Sequence, residues 1–351
     1  MEKRCDLVFE GGGMKGIGLV GALSVLEEHG HSYQRLAGTS AGAIVAALTA
    51  AGYSSAELYE TLLSLDFTAF MDEGWEDRLP LIDKPASLIM DLGIYEGDAL
   101  ERWIGERLAA KGVRTFGDLI VDAETDDPRY RWKLQVVVSD VSMHRLLVLP
   151  RDARVLGVEP DDMVVAEAVR ASMSIPVFFE PKRVKDEGSL TEHVLVDGGM
   201  LSNFPVWLFD AEREPRWPTI GLLLVEGDTR QRVGPGVEPV GQIGHGPIAL
   251  VSYVRALVQT LVEAHDRLYI DQADFARTIP IETLGVAATD FALPEEQRRA
   301  LYESGRRAAE GFLPFDFDAY QAAFPRGARV SRRDSIRRAM LVHRGGFGRA
   351  D

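Results

Sequence analysis

The sequence predicts an α/β protein built around a parallel sheet, and three observations carry that expectation. Two strand-turn-helix units fill the first fifty residues, "CDLVFE" into "KGIGLVGALSVLEEHG" and "YQRLAG" into "AGAIVAALTAAG". Consecutive units of this kind lay parallel strands side by side under packed helices. Further on, "TIGLLLVEG" is a near-continuous apolar run, the pattern of a strand covered on both faces and central in its sheet. With 46% hydrophobic and 26% charged residues over 351, the chain is ordinary globular material, long enough for one large domain or two modest ones.

The first helix carries apolar residues on nearly every side and stops at Gly30, so it is expected to be buried; the second follows Thr39-Ser40 at once and closes on Gly52. Residues 66–97 break this rhythm with Pro80, Pro85 and many aromatic and methionine side chains, and read as a cap. Phe67, Phe70, Met71, Trp75, Leu88, Ile89 and Met90 are the apolar side chains it would bring beside the strand ends. After it come a helix in "GDALERWIGERLAAKG", a strong strand "KLQVVVSD", and "RLLVLP", which a turn at Val141–His144 joins into a hairpin. The helix "MVVAEAVRAS" runs on to "MSIPVFFEP", and the strand "HVLVD" stops at "GGMLSNFP". The glycine- and proline-rich stretch 234–247 is the clearest loop, ahead of an amphipathic helix with Leu250, Val254, Leu257, Leu261 and Leu268 on one stripe. No internal repeat is visible, and no domain boundary falls before about residue 320.

Composition narrows the function classes. Net charge is −15, but 326–351 holds eight arginines against Asp334 and Asp351, a local +6 that leaves −21 on the rest. So acidic a body argues against nucleic acid as partner, whereas the basic tail reads as solvated and partly disordered or as a contact for an anionic membrane surface. No apolar run is long enough to span a bilayer, and the N-terminus runs straight into a strand, so a cytoplasmic protein, at most peripheral to a membrane, is expected. Cys5 is the single cysteine, which excludes an intramolecular disulfide and cysteine-based zinc sites and predicts no disulfide-linked partner.

Three short motifs carry chemistry. "EGGGMKG" follows the first strand, "GTSAG" the second and "DGG" a later one, and in an α/β sheet the carboxyl ends of the strands form the active edge. "GTSAG" is G-x-S-x-G between a strand and a helix, the context of a nucleophile elbow. Gly38 and Gly42 must lack side chains for strand and helix to approach, and Ser40 and Ala41 stand at the positive end of the helix dipole. A lone serine there reads equally well as a helix N-cap; the flanking glycines and companion motifs favour the nucleophile. A serine hydroxyl needs a base within hydrogen-bond reach. Asp197, whose following Gly198 and Gly199 permit a tight turn, is one source, and His245 in "GQIGHGP" is the credible alternative; His265 on the apolar stripe and His343 in the tail read as structural or solvated.

In this order and this near the N-terminus, "EGGGMKG", "GTSAG" and "VDGG" resemble the patatin-like phospholipase family. "LGIYEGDALERWIGERLAAKGVRTFGDL", "VRASMSIPVFFEP" and "TDFALPEEQRRALYESGRRAAEGFL" extend the similarity over roughly residues 5 to 315. The resemblance implies a three-layer patatin-like fold, with a central, mostly parallel sheet flanked by helices, in a catalytic domain over residues 1–320. It also implies a lipid acyl hydrolase of phospholipase A or lysophospholipase type. Its serine-aspartate dyad would place Ser40 as nucleophile and Asp197 as base, without histidine, acting on lipid or phospholipid without a cofactor. The oxyanion of the tetrahedral intermediate needs fixed donors. The amides of Gly12 and Gly13 are the candidates, with Gly11 shaping the turn, Lys15 adding positive potential, Gly16 completing the motif and the Ala41 amide a possible extra donor.

Other readings remain weaker. Gly11, Gly13 and Gly16 spell G-x-G-x-x-G, but a dinucleotide site wants an acid on the second strand, and "YQRLAGTS" offers only Arg35, which would have to meet an NADP phosphate. A phosphate-loop NTPase fails because Lys15 precedes Gly16 with no Ser or Thr after it. A non-catalytic lipid-binding module would not need all three motifs intact, while an acyltransferase or thioesterase would use the same acyl-enzyme. "DAETDD" and "EPDD" lack calcium-loop spacing, so no metal is expected.

Overall fold

A computed structural model of the chain describes residues 3–65, 97–186, 188, 191–210, 215–226, 257, 272–288, 290 and 293–325. The cap except Gly97, the loop 234–247, the amphipathic stripe except Leu257, His245, His265 and the basic tail with His343 therefore lie outside the described residues.

An eight-stranded sheet organises the described residues. Strands β1 (Lys3–Phe9), β2 (His31–Thr39), β3 (Leu134–Asp140), β7 (Thr219–Val225) and β8 (Thr278–Glu282) are mutually parallel in the order β3-β2-β1-β7-β8, while β4 (Arg145–Leu149), β5 (Lys182–Lys185) and β6 (Glu192–Asp197) run antiparallel to their neighbours. The fold class read from the sequence, a mostly parallel sheet flanked by helices, is the one observed. So is the hairpin, which pairs Val136–Asp140 with Arg145–Leu149 across the expected turn. The apolar run at 219–225 lies inside the sheet between β1 and β8.

Alternation of side chains decides the two faces. Leu7, Phe9, Leu36, Val136, Val138, Leu222 and Leu224 enter one large core under the helices, whereas Val8, Ala37, Val137, Val148 and Leu223 enter a smaller one with Phe204, Val206, Leu208 and Phe209. The large core is roofed by α1 (Gly16–Glu28), α2 (Ala41–Ala50), α3 (Ser55–Leu63), α4 (Gly97–Ala110) and α5 (Val165–Ser172), and by α6 (Glu295–Phe312) lying along α1. Helix α1 is buried continuously from Gly16 to Leu26, as its all-round apolar sequence requires. It meets α6 backbone to backbone: a side chain on Gly21 would strike the Tyr302 carbonyl, and one on Gly305 the Gly18 carbonyl. Helix α7 (Phe317–Ala323) closes the described part. No helix among the described residues is long and apolar enough to cross a membrane.

The sheet's strand ends define where a site can form. Residues 134–137 of β3 pair with β2, residues 138–140 pair with β6, and β4 pairs with both stretches. Because β4 occupies one side of β3, β2 and β6 must share the other, running toward each other. The expectation that all three motifs sit at carboxyl ends of parallel strands is thus refined. "EGGGMKG" and "GTSAG" do, but Asp197 arrives on an antiparallel strand that ends head-on against β2.

Arg35, weighed above as a phosphate ligand, is committed to the sheet. Its guanidinium donates to both carboxylate oxygens of Asp6, at 3.0 and 2.9 Å, and stacks over the Tyr130 ring at 4.3 Å. Asp6 also accepts from the Trp217 indole at 2.9 Å. Burial pushes the Asp6 carboxyl up, against the pull of Arg35. Removing the cation would strand a buried acid, a change that destabilises proteins by about 3–5 kcal/mol. Arg35→Met is therefore expected to lower the unfolding free energy markedly at pH 7, and chemical denaturation measures it.

Candidate active site

Ser40 lies between β2 and α2 with φ 54° and ψ −131°, a left-handed backbone that a residue with a Cβ adopts only under constraint, at roughly 1–3 kcal/mol. It stands at the N-cap position, yet its hydroxyl caps nothing, which removes the N-cap reading of this serine. The constraint comes from packing. A Cβ on Gly38 would strike the Gly42 carbonyl, and one on Gly42 would enter the carbonyls of Phe9 and Glu10. Only glycine at both positions lets strand, helix and the end of β1 converge, as the pentapeptide predicts.

A residue not singled out in the sequence holds the strained turn. Ser172, fully buried at the end of α5, accepts from the Ser40 amide at 2.9 Å and donates to the Val137 carbonyl at 2.7 Å. The Ser40 amide is thereby committed to the scaffold. Ser172→Ala leaves a buried donor and a buried acceptor unpaired, each worth about 1–3 kcal/mol. We expect a lower melting temperature and a kcat reduced about tenfold or more with KM little changed, read by steady-state kinetics on a soluble ester.

Thr39 pairs with Val137 and Asp197 with Val138, so Ser40 and Asp197 face each other across neighbouring positions of β3. Asp197 is 1% exposed. Its amide donates to Ser174 O at 2.9 Å, and its Oδ1 accepts from Gly199 N at 2.7 Å, the local turn expected of Asp before glycines. Oδ2 is buried without a donor among the described residues. Desolvation raises this carboxyl to about 7, with the adjacent Ser40 hydroxyl and the Gly199 amide opposing the rise. The hydroxyl is close enough to act on the acid but forms no well-aligned bond to it; the contact it does align with is Met173 Sδ at 3.8 Å. Loosely aligned pairs of this kind are usual before substrate binds. Gly198 is wedged against the Val137 carbonyl, and a Cβ on Gly199 would come within 2.8 Å of Asn203 Oδ1.

The loop "GGGMKG" faces the same point. A Cβ on Gly11 would collide with Asn203 Oδ1 and stand 2.9 Å from Ser40 Cβ. Backbone amides there divide into two groups. Gly11 N donates to Asn203 O, Met14 N to Ala288 O and Lys15 N to Gly12 O, whereas the Gly12 and Gly13 amides have no partner among the described residues. Those are the two named from the sequence as oxyanion donors. Gly13 has φ 55° and lies against the Ala288 carbonyl, so the loop after β8 locks it. Lys15 is buried in the same turn and makes no ion pair among the described residues. Gly16 is less demanding: a methyl there would touch Ala41 Cβ at 3.4 Å, an ordinary contact.

Among the described residues no histidine bonds Ser40 or Asp197. His193, 3% exposed, instead pairs with buried Asp140 at 2.8 Å.

Comparison with known proteins gives the same direction. A family profile described as patatin-like phospholipase matches residues 7–210. The chain is 40% identical over 310 residues to the uncharacterized protein YqhO of Bacillus subtilis, covering 88% of this chain and 97% of that one. It is 26% identical over 220 residues to the uncharacterized protein R571 of Acanthamoeba polyphaga mimivirus, 62% of this chain and 64% of the other. Among solved structures, VipD from Legionella pneumophila aligns with a TM-score of 0.49 at 19% identity over 89% of this chain and 66% of its own. The type III effector ExoU, known from Pseudomonas aeruginosa, aligns at 0.44 and 16%, over 89% of this chain and 52% of its own.

Proposed function

The chain belongs to the patatin-like phospholipase family, and from that premise we propose a lipid acyl hydrolase of phospholipase A or lysophospholipase type, working through a Ser40 acyl-enzyme with Asp197 as general base. The observation that carries this reading is the meeting of a strained, uncapped serine with a buried carboxyl that has no ion pair among the described residues and faces the Ser40 hydroxyl. A carboxyl near 7 is matched to proton transfer at neutral pH, where Brønsted behaviour is most effective.

Each step follows from these groups. Asp197 Oδ2 takes the Ser40 proton as Oγ attacks the acyl carbonyl. The oxyanion forms against the Gly12 and Gly13 amides, with Lys15 contributing positive potential; one such donor is typically worth about 2.7–4 kcal/mol. Protonated Asp197 then gives its proton to the leaving alcohol. Water, losing a proton to the same carboxylate, releases the fatty acid. The catalytic unit on this reading runs from residue 1 to 320, because β7, β8 and α6, beyond the matched 7–210, complete the sheet and the α1 packing.

The test is fatty-acid release from phospholipid, lysophospholipid, neutral glyceride and a soluble chromogenic ester. Release from at least one lipid is expected; inactivity on all four would remove the proposal. With active protein, Trp75→Ser and Phe70→Ser are expected to slow hydrolysis of aggregated lipid more than of the soluble ester, if the cap meets the lipid surface. Equal losses on both would remove that role.

A further inference from the structure

Asn203 stands where the glycine loop, the nucleophile and the turn after Asp197 meet. Its carbonyl accepts from Gly11 N at 3.1 Å, and its Nδ2 donates to Glu10 Oε1 at 3.2 Å and to Gly11 O at 3.0 Å. Glu10 is itself fixed, its Oε2 accepting from Leu224 N at the end of β7. Both partners of Nδ2 are acceptors only, so the amide cannot be turned the other way without setting oxygen against oxygen. Its Oδ1 is thereby aimed into the site. A Cβ on Gly199 would lie 2.8 Å from Asn203 Oδ1 and 3.0 Å from Asp197 Oδ1, so Asn203 Oδ1 is within about 6 Å of the Asp197 carboxylate, whose Oδ1 is held by Gly199 N and whose Oδ2 is its other oxygen. Contact with the Cβ position of Gly11 places Oδ1 within about 5 Å of Ser40 Cβ.

Once Ser40 is acylated its oxygen carries no hydrogen for Asp197, and two acceptors here are left without a donor among the described residues, Asn203 Oδ1 and Asp197 Oδ2, on residues 4% and 1% exposed. Buried oxygens of this kind are normally satisfied, and leaving them bare is unfavourable. A ligand that satisfies both must present two hydrogens from one small atom. Water does so; an alcohol has one.

We propose that Asn203 Oδ1 holds the hydrolytic water of the deacylation step and selects water over alcohols as the acyl acceptor. The proposal rests on the Ser40–Asp197 reading above. One hydrogen of the water points to Asn203 Oδ1 and the other to Asp197 Oδ2. The water oxygen bonds to the acyl carbon as Asp197 takes its proton. The tetrahedral intermediate then breaks the bond from carbon to Ser40 Oγ, and Asp197 returns the proton to that oxygen. Acyl-enzyme and water become free serine and fatty acid, and Asn203 ends unchanged. An alcohol would engage Asp197 alone and leave Asn203 Oδ1 unpaired, the kind of mismatch by which polar sites reject analogues. Loss of Asn203 would therefore shift the enzyme from hydrolysis toward acyl transfer.

The experiment uses the full chain, a soluble 4-nitrophenyl ester of a short acid, and added methanol. It measures the nitrophenol burst and the ratio of methyl ester to free acid. Asn203→Leu, which fills the volume without an acceptor, should keep a burst, slow acid release, and raise the ratio about tenfold. Asn203→Asp loses the donor to Glu10 and Gly11 O, which should lower overall turnover, but keeps an acceptor oxygen toward the site and should hold the ratio within about twofold of wild type. An unchanged ratio in Asn203→Leu, or a shift of the same size in Asn203→Asp, overturns the proposal. Should Asn203→Leu not fold, the aspartate variant still decides, since a tenfold shift there contradicts it. Wild-type nitrophenol release that does not depend on Ser40 would instead overturn the dyad reading, so the two failures are distinct.

Discussion

Ser40→Ala is expected to lower hydrolysis of every ester substrate by about 10⁴-fold or more, with the fold retained. On the proposed mechanism the loss is large because the serine oxygen is the acyl carrier; the Gly12 and Gly13 amides and Lys15, which survive the change, would retain only their share of stabilisation. The substitution leaves the strained backbone in place, with the Ser40 amide still bonded to Ser172 and the Gly38–Gly42 approach unaltered. A melting temperature close to wild type should accompany the loss. Rates from wild type and variant at saturating soluble ester, together with a melt, measure both halves. Retained activity would remove the nucleophile and with it the mechanism.

Asp197→Asn is expected to lower kcat by about 10³-fold or more and, at pH 8, to make the protein more stable. Both effects come from the same burial. In the wild type the carboxyl titrates near 7, so kcat/KM should rise tenfold per pH unit below that value and level off above it. For stability the sign runs the other way. The folded state holds the proton up to about pH 7, while the unfolded chain releases it near 3.9, so stability falls as pH rises from about 4 to 7. A shift of three units corresponds to roughly 4 kcal/mol at most. Asparagine keeps the acceptor for Gly199 N and carries no charge, so its advantage over wild type should be full above pH 7 and absent near pH 4. Melts of both proteins at pH 5 and pH 8 measure it; equal melting temperatures at pH 8 would contradict the buried charge. If His245 were the base instead, His245→Ala would abolish activity, whereas the dyad predicts near-normal rates.

Much of this was legible because local patterns settle it. An apolar strand, a glycine-bounded turn and an all-round apolar helix can be read from contiguous residues, which is how β1-α1 and β2-α2 with Ser40 between them emerge from fifty positions. What escaped depends on distant pairing. Nothing near Asp197 announces that β6 runs antiparallel and meets β2 head-on; that follows from β4 occupying the other side of β3. Nothing in the α6 segment by itself points to α1. Its role against α1 is set by Gly21 and Gly305, nearly three hundred residues apart. Ser172 and Asn203 were missed for the same reason. Each is an ordinary polar residue in its own segment, and its importance lies in the atoms it reaches, the Ser40 amide for one and the Gly11 loop for the other. That Arg35 is spoken for is equally invisible in its own segment, because its partner Asp6 lies on the neighbouring strand.

The central claim, that Ser40 is the acylated residue and Asp197 its base, is tested most directly by mapping a covalent adduct from an alkyl fluorophosphonate by mass spectrometry. One adduct is expected, on Ser40 in the tryptic peptide spanning residues 36 to 78. Its rate of formation should rise with pH to a plateau above about 7 in wild type and be lost in Asp197→Asn. An adduct on another residue, or active protein that leaves Ser40 unlabelled, would contradict it.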